Sequence, residues 1–390
     1  MANIYEILAK SYSDSEAALS NISLASSYLD QKFPVVSTGS HVLDDALSCG
    51  GLPLGRIIQF YGKGGSGKTL MAIIAIKNAQ KKDPSAYQIF IDAENTFSSL
   101  WATTLGVDVD RVVLIDKEHA QNGRMLFEAL LGVPKEDAKT HVLVGKKTEG
   151  WLDKIASGEI NVNMIVLDSL GNVIPPGEDT SAIGKMNMAL MARFLGPTLK
   201  RLSLEVSKAN IPFIIINHTR DTMDPYASSD HTYSGGNDYT HALSANIYFE
   251  AVMRKDAAIL DEKENKIGHT IRATVEKSKF GPWPRRCEFK VNFGIGIVDE
   301  HEEIAQLALD WNVVQKTSNV SHEYNGQKWV GFPKYSEAIK EDSKLADELL
   351  LKISEAREQK RLNLLAERSA KQEKMEEIQK ENKKKKEKNA

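Results

Sequence analysis

The chain has 390 residues, 42% of them hydrophobic, and a formal net charge of -3. That is enough apolar chain for one principal α/β domain with small appendages, and a charge too near zero for the whole surface to seek polyanions, so any nucleic-acid contact must be a local patch. Two cysteines without C-x-x-C spacing, Cys49 and Cys287, argue against a disulfide framework or structural zinc, and no apolar run is long enough for a bilayer, so a soluble cytoplasmic protein without a membrane partner is expected.

Residues 1–33 read as a polar helical arm with sparse apolar positions at Ile4, Ile7, Leu8, Leu19, Ile22 and Leu29. Such a segment makes no core of its own and is expected to dock elsewhere. Between 34 and 298, short apolar runs alternate with helical stretches, the pattern of a mostly parallel sheet covered on both faces. Strands are expected at 57–61, 88–92, 112–115, 164–168, 213–217, 247–251, 271–276 and 288–291. Several close on a polar residue, at the edge where open α/β sheets bind ligands. Residues 299–350 read as a small C-terminal domain of helices with a short hairpin at Tyr324-Asn325-Gly326-Gln327. From 351 to 390 the chain is almost all Glu, Lys, Arg, Gln and Ala and closes on a lysine run, which reads as a solvated helix fraying into disorder rather than a coiled coil.

The chemistry begins at Gly62-Lys63-Gly64-Gly65-Ser66-Gly67-Lys68-Thr69, a G-x-x-x-x-G-K-[ST] phosphate loop between the strand at 57–61 and a helix that starts near Leu70. Glycines let the backbone curl around a polyphosphate and aim its N–H groups at it, and the helix N-terminus adds partial positive charge. Lys68 is expected to reach the β- and γ-phosphates of a nucleoside triphosphate, and Thr69 to bind Mg2+. A plain Gly-rich turn would not need both a strand before it and a helix after it. Asp168, closing the apolar run 164–167, is expected to hold Mg2+ through water, and Glu94, just past the strand at 88–92, to polarise the attacking water. His218 closes a third strand and is a candidate γ-phosphate sensor, although a lone strand-end His is more often structural.

Ser37-Thr38-Gly39-Ser40, Leu43-Asp44, Ala46-Leu47 and Gly50-Gly51-Leu52-Pro53-Leu54-Gly55-Arg56, leading into the phosphate loop, resemble the start of the RecA-type recombinase core. Phe90-Ile91-Asp92-Ala93-Glu94, Leu105-Gly106-Val107-Asp108, Asp168-Ser169 and Gly235-Gly236-Asn237 continue the resemblance in order, and Asn217-His218 looks most like the phage branch, the UvsX-like recombinases. The resemblance implies a RecA-like ATPase core and a DNA-dependent ATPase. It would polymerise as a helical filament on single-stranded DNA and exchange strands with homologous duplex DNA. A loader or mediator and a single-strand DNA-binding protein are implied as partners.

By the same resemblance Ser98 and Trp101 contact the adenine. Lys277 and Lys279 match the paired lysines that reach a neighbour's γ-phosphate, so that the site is complete only between protomers. Two long stretches, between Asn172 and Asn187 and between Thr219 and Tyr239, resemble the two DNA-binding loops. Lys185, Arg193, Lys200 and Arg220 would meet phosphates. Met188 and Met223 would wedge between bases, and Gly235, Gly236 and Asn237 would approach the strand. The alternatives are a hexameric helicase on the same core and a mediator that binds ATP without exchanging strands.

Overall fold

The computed structural model describes residues 33–133, 147–177, 188–221, 231–233, 235–318 and 320–388; for residues 188, 189, 220, 221, 231, 232, 237, 255 and 368–388 it describes the backbone alone. The arm expected at 1–33 lies outside the described residues except for Phe33.

A two-residue strand pair, β1 (Val35–Val36) and β2 (Leu52–Pro53), brackets α1 (His41–Ala46). β3 (Arg56–Gly62) then runs into α2 (Lys68–Lys82), and β4 (Tyr87–Asp92) leads to α3 (Ser99–Thr104). After β5 (Val112–Ile115) come α4 (Lys117–Gln121), α5 (Gly123–Leu131) and α6 (Trp151–Ser157). β6 (Val162–Asp168), α7 (Met188–Ala209), β7 (Pro212–Asp221), β8 (His231–Tyr233), α8 (Gly236–Ala242) and β9 (Ala245–Ala251) follow. Strands β5, β4, β6, β7, β3 and β9 lie side by side in that order, all parallel. β10 (Ala258–Leu260), β11 (Lys266–Ser278), β12 (Arg285–Asn292) and β13 (Gly296–Val298) extend the sheet beyond β9 with antiparallel pairing.

All eight expected strands are present; 112–115 matches end to end and the others run longer. The three-residue strands β8, β10 and β13 escaped the sequence reading, because so short a segment carries no measurable alternation.

Alternation within the parallel strands separates two apolar layers. Ile57, Ile89, Ile91, Ile165, Leu167, Phe213 and Ile215 face Leu126, Phe127 and Leu130 of α5, Leu152 and Ile155 of α6, and Leu195, Leu199, Leu202 and Val206 of α7. The last four follow helical spacing and make one stripe. α2 packs against the sheet with Met71 to Ile76 buried without interruption. A helix buried nearly all round is apolar nearly all round. Because both faces of the sheet are covered, its central strands read as continuous apolar runs.

Pro34–Ile304 forms one compact unit, and the described residues from Ala305 onward form another, the division falling within α9 (Glu300–Asp310). The second unit holds a small antiparallel sheet, β14 (Gln315–Lys316), β15 (Ser321–Tyr324) and β16 (Gln327–Val330), with α10 (Phe332–Glu341) and α11 (Ser343–Lys388). The expected hairpin is there: Tyr324 pairs with Gln327, and Asn325 (φ 49°) and Gly326 (φ 79°) make the left-handed two-residue turn that Asn-Gly favours. The third strand, β14, was not foreseen. Among the described residues no helix is long and apolar enough to cross a membrane.

Candidate active site

Parallel strands deliver their carboxyl ends to one edge, and register aligns the site residues there. Gly62 pairs with His218 across β3 and β7, and Asp92 with Asp168 across β4 and β6. Gly62 leaves β3 at φ 155°, and a Cβ on it would lie 2.2 Å from the Phe249 carbonyl oxygen of β9, so only glycine fits. Gly67, at φ 94°, is the N-cap of α2. Between them Lys63, Gly64 and Gly65 are exposed, Ser66 is buried with no partner for its hydroxyl, and Leu70 is buried behind the loop.

Lys68 is only 4% exposed, and its ammonium donates to the carbonyl oxygens of Gly62 at 3.1 Å and Lys63 at 2.8 Å. Burial lowers its pKa, while Asp168 and Glu94 nearby work the other way. A buried charge whose hydrogen bonds go to carbonyl dipoles gains more from a phosphate than from those partners.

The Thr69 hydroxyl donates to Asp168 Oδ2 at 2.6 Å, so the two expected Mg2+ holders touch directly. Asp168 Oδ1 is buried and unpartnered, and burial, opposed by the Thr69 bond, pushes this carboxyl up to about 6. An orphaned carboxylate oxygen beside a hydroxyl suits a hard divalent cation. Mg2+ is such an ion: it takes one or two protein oxygens and completes its shell with phosphate and water.

Glu94 sits on a turn fastened from two sides. Its own N–H and that of Ala93 donate to the Asp168 carbonyl at 3.2 and 2.7 Å, and buried Asp92 accepts from the N–H groups of Thr96 and Phe97. The carboxylate does not stand alone: the Ser169 hydroxyl donates to Oε1 at 2.5 Å, and His218 Nε2 meets the same oxygen. The His218 bond is the main cause that holds Glu94 below the usual carboxylate range, with burial opposing it. His218 is thus joined to Glu94. Ser169 and Asp92 were missed as functional residues, although both stand inside the motifs already noted.

Past the Glu94 turn, Ser98 accepts from the Trp101 N–H at 3.2 Å and so caps α3. The Trp101 indole N–H donates to the Phe293 carbonyl at 2.5 Å, bringing the 293–295 turn beside the expected adenine position. No local signal announces Phe293, because its partner lies 192 residues away.

Lys277 donates to the Thr240 carbonyl and Lys279 to that of His241 at 3.4 Å, both at the C-terminal end of α8. Of the residues expected to face DNA, Arg193 is exposed on α7, and Lys200, also exposed, stands 4.0 Å from Asp238. Gly235 is the N-cap of α8, which Gly236 opens. Met188, Arg220 and Asn237 are described by their backbones alone, in α7, β7 and α8. Lys185 and Met223 lie outside the described residues.

The RecA N-terminal domain family matches residues 15–137 and 113–298. The protein RecA of Chloroherpeton thalassium is 31% identical over 322 residues, covering 83% of this chain and 81% of that one. The protein RecA of Macrococcus caseolyticus is 31% identical over 328 residues, with 84% and 83% covered. For the protein RecA of Porphyromonas gingivalis the identity is 31%, with 83% and 85% covered. With a phosphate loop, two acids and a histidine converging on one sheet edge, and likeness of that extent, the chain belongs to the RecA family of DNA-dependent ATPases and strand-exchange recombinases.

Proposed function

We propose that this chain assembles as a helical filament on single-stranded DNA, uses ATP to hold that filament, and exchanges strands with homologous duplex DNA in the cytoplasm. Asn217-His218 favours the UvsX-like branch. A loader and a single-strand DNA-binding protein would assist it. The observation that carries the reading is the cluster beside Lys68 in which Thr69 bonds to Asp168 while Ser169, the next residue in the chain, and His218 both bond to Glu94.

In this reading the loop N–H groups and Lys68 bind the β- and γ-phosphates. Thr69 and Asp168 would hold Mg2+, which, when bound, neutralises phosphate charge. Glu94, kept ionised by His218 and Ser169, orients the attacking water and accepts its proton. His218 feels whether a γ-phosphate is present, because the ring bonded to Glu94 must share itself with that phosphate. Trp101 and Phe293 flank the base, with Ser98 beside them. Lys277 and Lys279, leaving α8, would clamp the neighbouring protomer's γ-phosphate and make hydrolysis depend on assembly. Arg193, Lys200, Arg220 and Lys185 would track DNA phosphates while Met188 and Met223 wedge between bases.

The test combines purified protein, homologous single-stranded and duplex DNA, and ATP. Joint molecules are expected with the wild type and none with Lys68→Ala. Glu94→Gln is expected to bind DNA in ATP yet hydrolyse about 100-fold or more slowly, the least that a lost general base costs. Hydrolysis at full rate without DNA, or no joint molecules from an active ATPase, would overturn the reading.

A further inference from the structure

Gln59 sits in the middle of β3, between β7 and β9, with no exposure at all. A primary amide is an expensive choice there, where Val, Ile or Leu would fill the space at no polar cost. Its cost is met because its bonds are made to side chains from three other elements. Gln59 Oε1 accepts from Asn217 Nδ2 at 3.2 Å and from the Tyr239 hydroxyl, and Nε2 donates to Asn246 Oδ1 at 2.7 Å. Asn217, Tyr239 and Asn246 are themselves buried.

The two ends of this chain of bonds lead to different places. On one side Asn217 Oδ1 accepts the backbone N–H of His218 at 3.0 Å, one residue from the ring that holds Glu94. On the other, Tyr239 belongs to α8, and Asn246 Nδ2 reaches the hydroxyl of Tyr233 in β8 at 3.4 Å. The Tyr233 hydroxyl meets Thr240 Oγ1 at 3.1 Å, and the Thr240 carbonyl is the one that Lys277 caps. β8 and the start of α8 lie within the second long stretch, between Thr219 and Tyr239. Gln59, Asn217, Tyr239 and Asn246 are buried and bonded to one another, so a displacement at Asn217 shifts the bonds that Gln59 makes with Tyr239 and Asn246.

We infer that Gln59 is a positioning residue that joins the nucleotide-sensing end of β7 to β8 and α8, so that the state of the γ-phosphate and the grip of the second loop on DNA change together. The inference rests on the recombinase reading above. It predicts a loss of coupling, not of nucleotide binding.

The experiment measures the affinity of the full chain for a fluorescent oligo-dT in a non-hydrolysable ATP analogue and in ADP, and takes the ratio. A wild-type ratio of about ten or more is expected, within the usual range of such linkages. Gln59→Met, similar in volume but without the amide, should bring the ratio to within about twofold of one while DNA-free binding of the analogue stays as in the wild type. Tyr239→Phe, which removes one hydroxyl and keeps the ring, should give an intermediate ratio and serves if Gln59→Met does not fold. The two changes together should lower the ratio no further than Gln59→Met alone, since they share one route. A wild-type ratio in folded Gln59→Met, or in Tyr239→Phe, overturns the inference while leaving the recombinase reading intact. A wild-type protein whose ratio is itself one removes that reading, and this inference with it.

Discussion

Glu94 is useful as a base only if it stays ionised and aimed, and its neighbours provide both. His218 and Ser169 bond to one carboxylate oxygen, and the backbone beneath is pinned to the Asp168 carbonyl. Ser169→Ala removes a bond to a charged acceptor, an interaction of about 1.5–3 kcal/mol, without touching the phosphate loop. A fall in kcat of about tenfold with little change in KM for ATP is expected from steady-state ATPase measurements, because the loss falls on the base and not on substrate binding. A raised KM with unchanged kcat would assign Ser169 to nucleotide binding instead. Each acid and the histidine were legible alone, as polar closures of apolar strands. Their union was not, because Glu94 and His218 are 124 residues apart and only the parallel register brings them together.

Elements are fastened to one another by polar side chains that periodicity does not reveal. Glu303 of α9 is the clearest case: it is buried, and its carboxylate accepts from the Ser40 hydroxyl at 2.8 Å and the Val42 N–H at 3.1 Å, so it ties α9 to the start of α1. Burial pushes this carboxyl up to about 7, against those two bonds and with help from Glu300 and Asp44. In the unfolded chain it would ionise near the ordinary 4.5. Between those values the folded state holds a proton that the unfolded state has released, so stability falls as pH rises from about 4.5 to about 7 and levels off above. The loss amounts to about 3 kcal/mol, at the 1.36 kcal/mol that a tenfold change in proton affinity is worth. Glu303→Gln keeps an acceptor for Ser40 and Val42 and cannot ionise. Its melting temperature should exceed the wild type's at pH 8 and match it at pH 4.5. Asp168, pushed up to about 6, titrates in the same window in both proteins and cancels from the comparison. An equal difference at both pH values would remove Glu303 as the cause.

Across the molecule, what could be read in advance was what burial writes into the chain. The parallel strands declared themselves because helices cover both their faces, and α2 because its middle, Leu70 to Ile76, is an unbroken apolar run. Gln59 sits inside one of those strands, and nothing local announces its bonds, since its partners are 158, 180 and 187 residues distant. The basic residues expected to meet DNA were likewise visible as types but not as free or paired charges, and that distinction is measurable. Single-stranded DNA binding should weaken with salt by a log–log slope of about 0.7 for each phosphate neutralised. Arg193 is exposed on α7, so Arg193→Ala should lower the slope by about that amount if it meets a phosphate. Lys200 stands 4.0 Å from Asp238, a pair exposed enough to be weak yet close enough to compete with a phosphate. Lys200→Ala should therefore cost less slope than Arg193→Ala, and Asp238→Asn should raise affinity at low salt by freeing Lys200. Equal slopes for the two alanine variants, together with no effect of Asp238→Asn, would show that Asp238 does not hold Lys200 back and that the two cations meet DNA on equal terms.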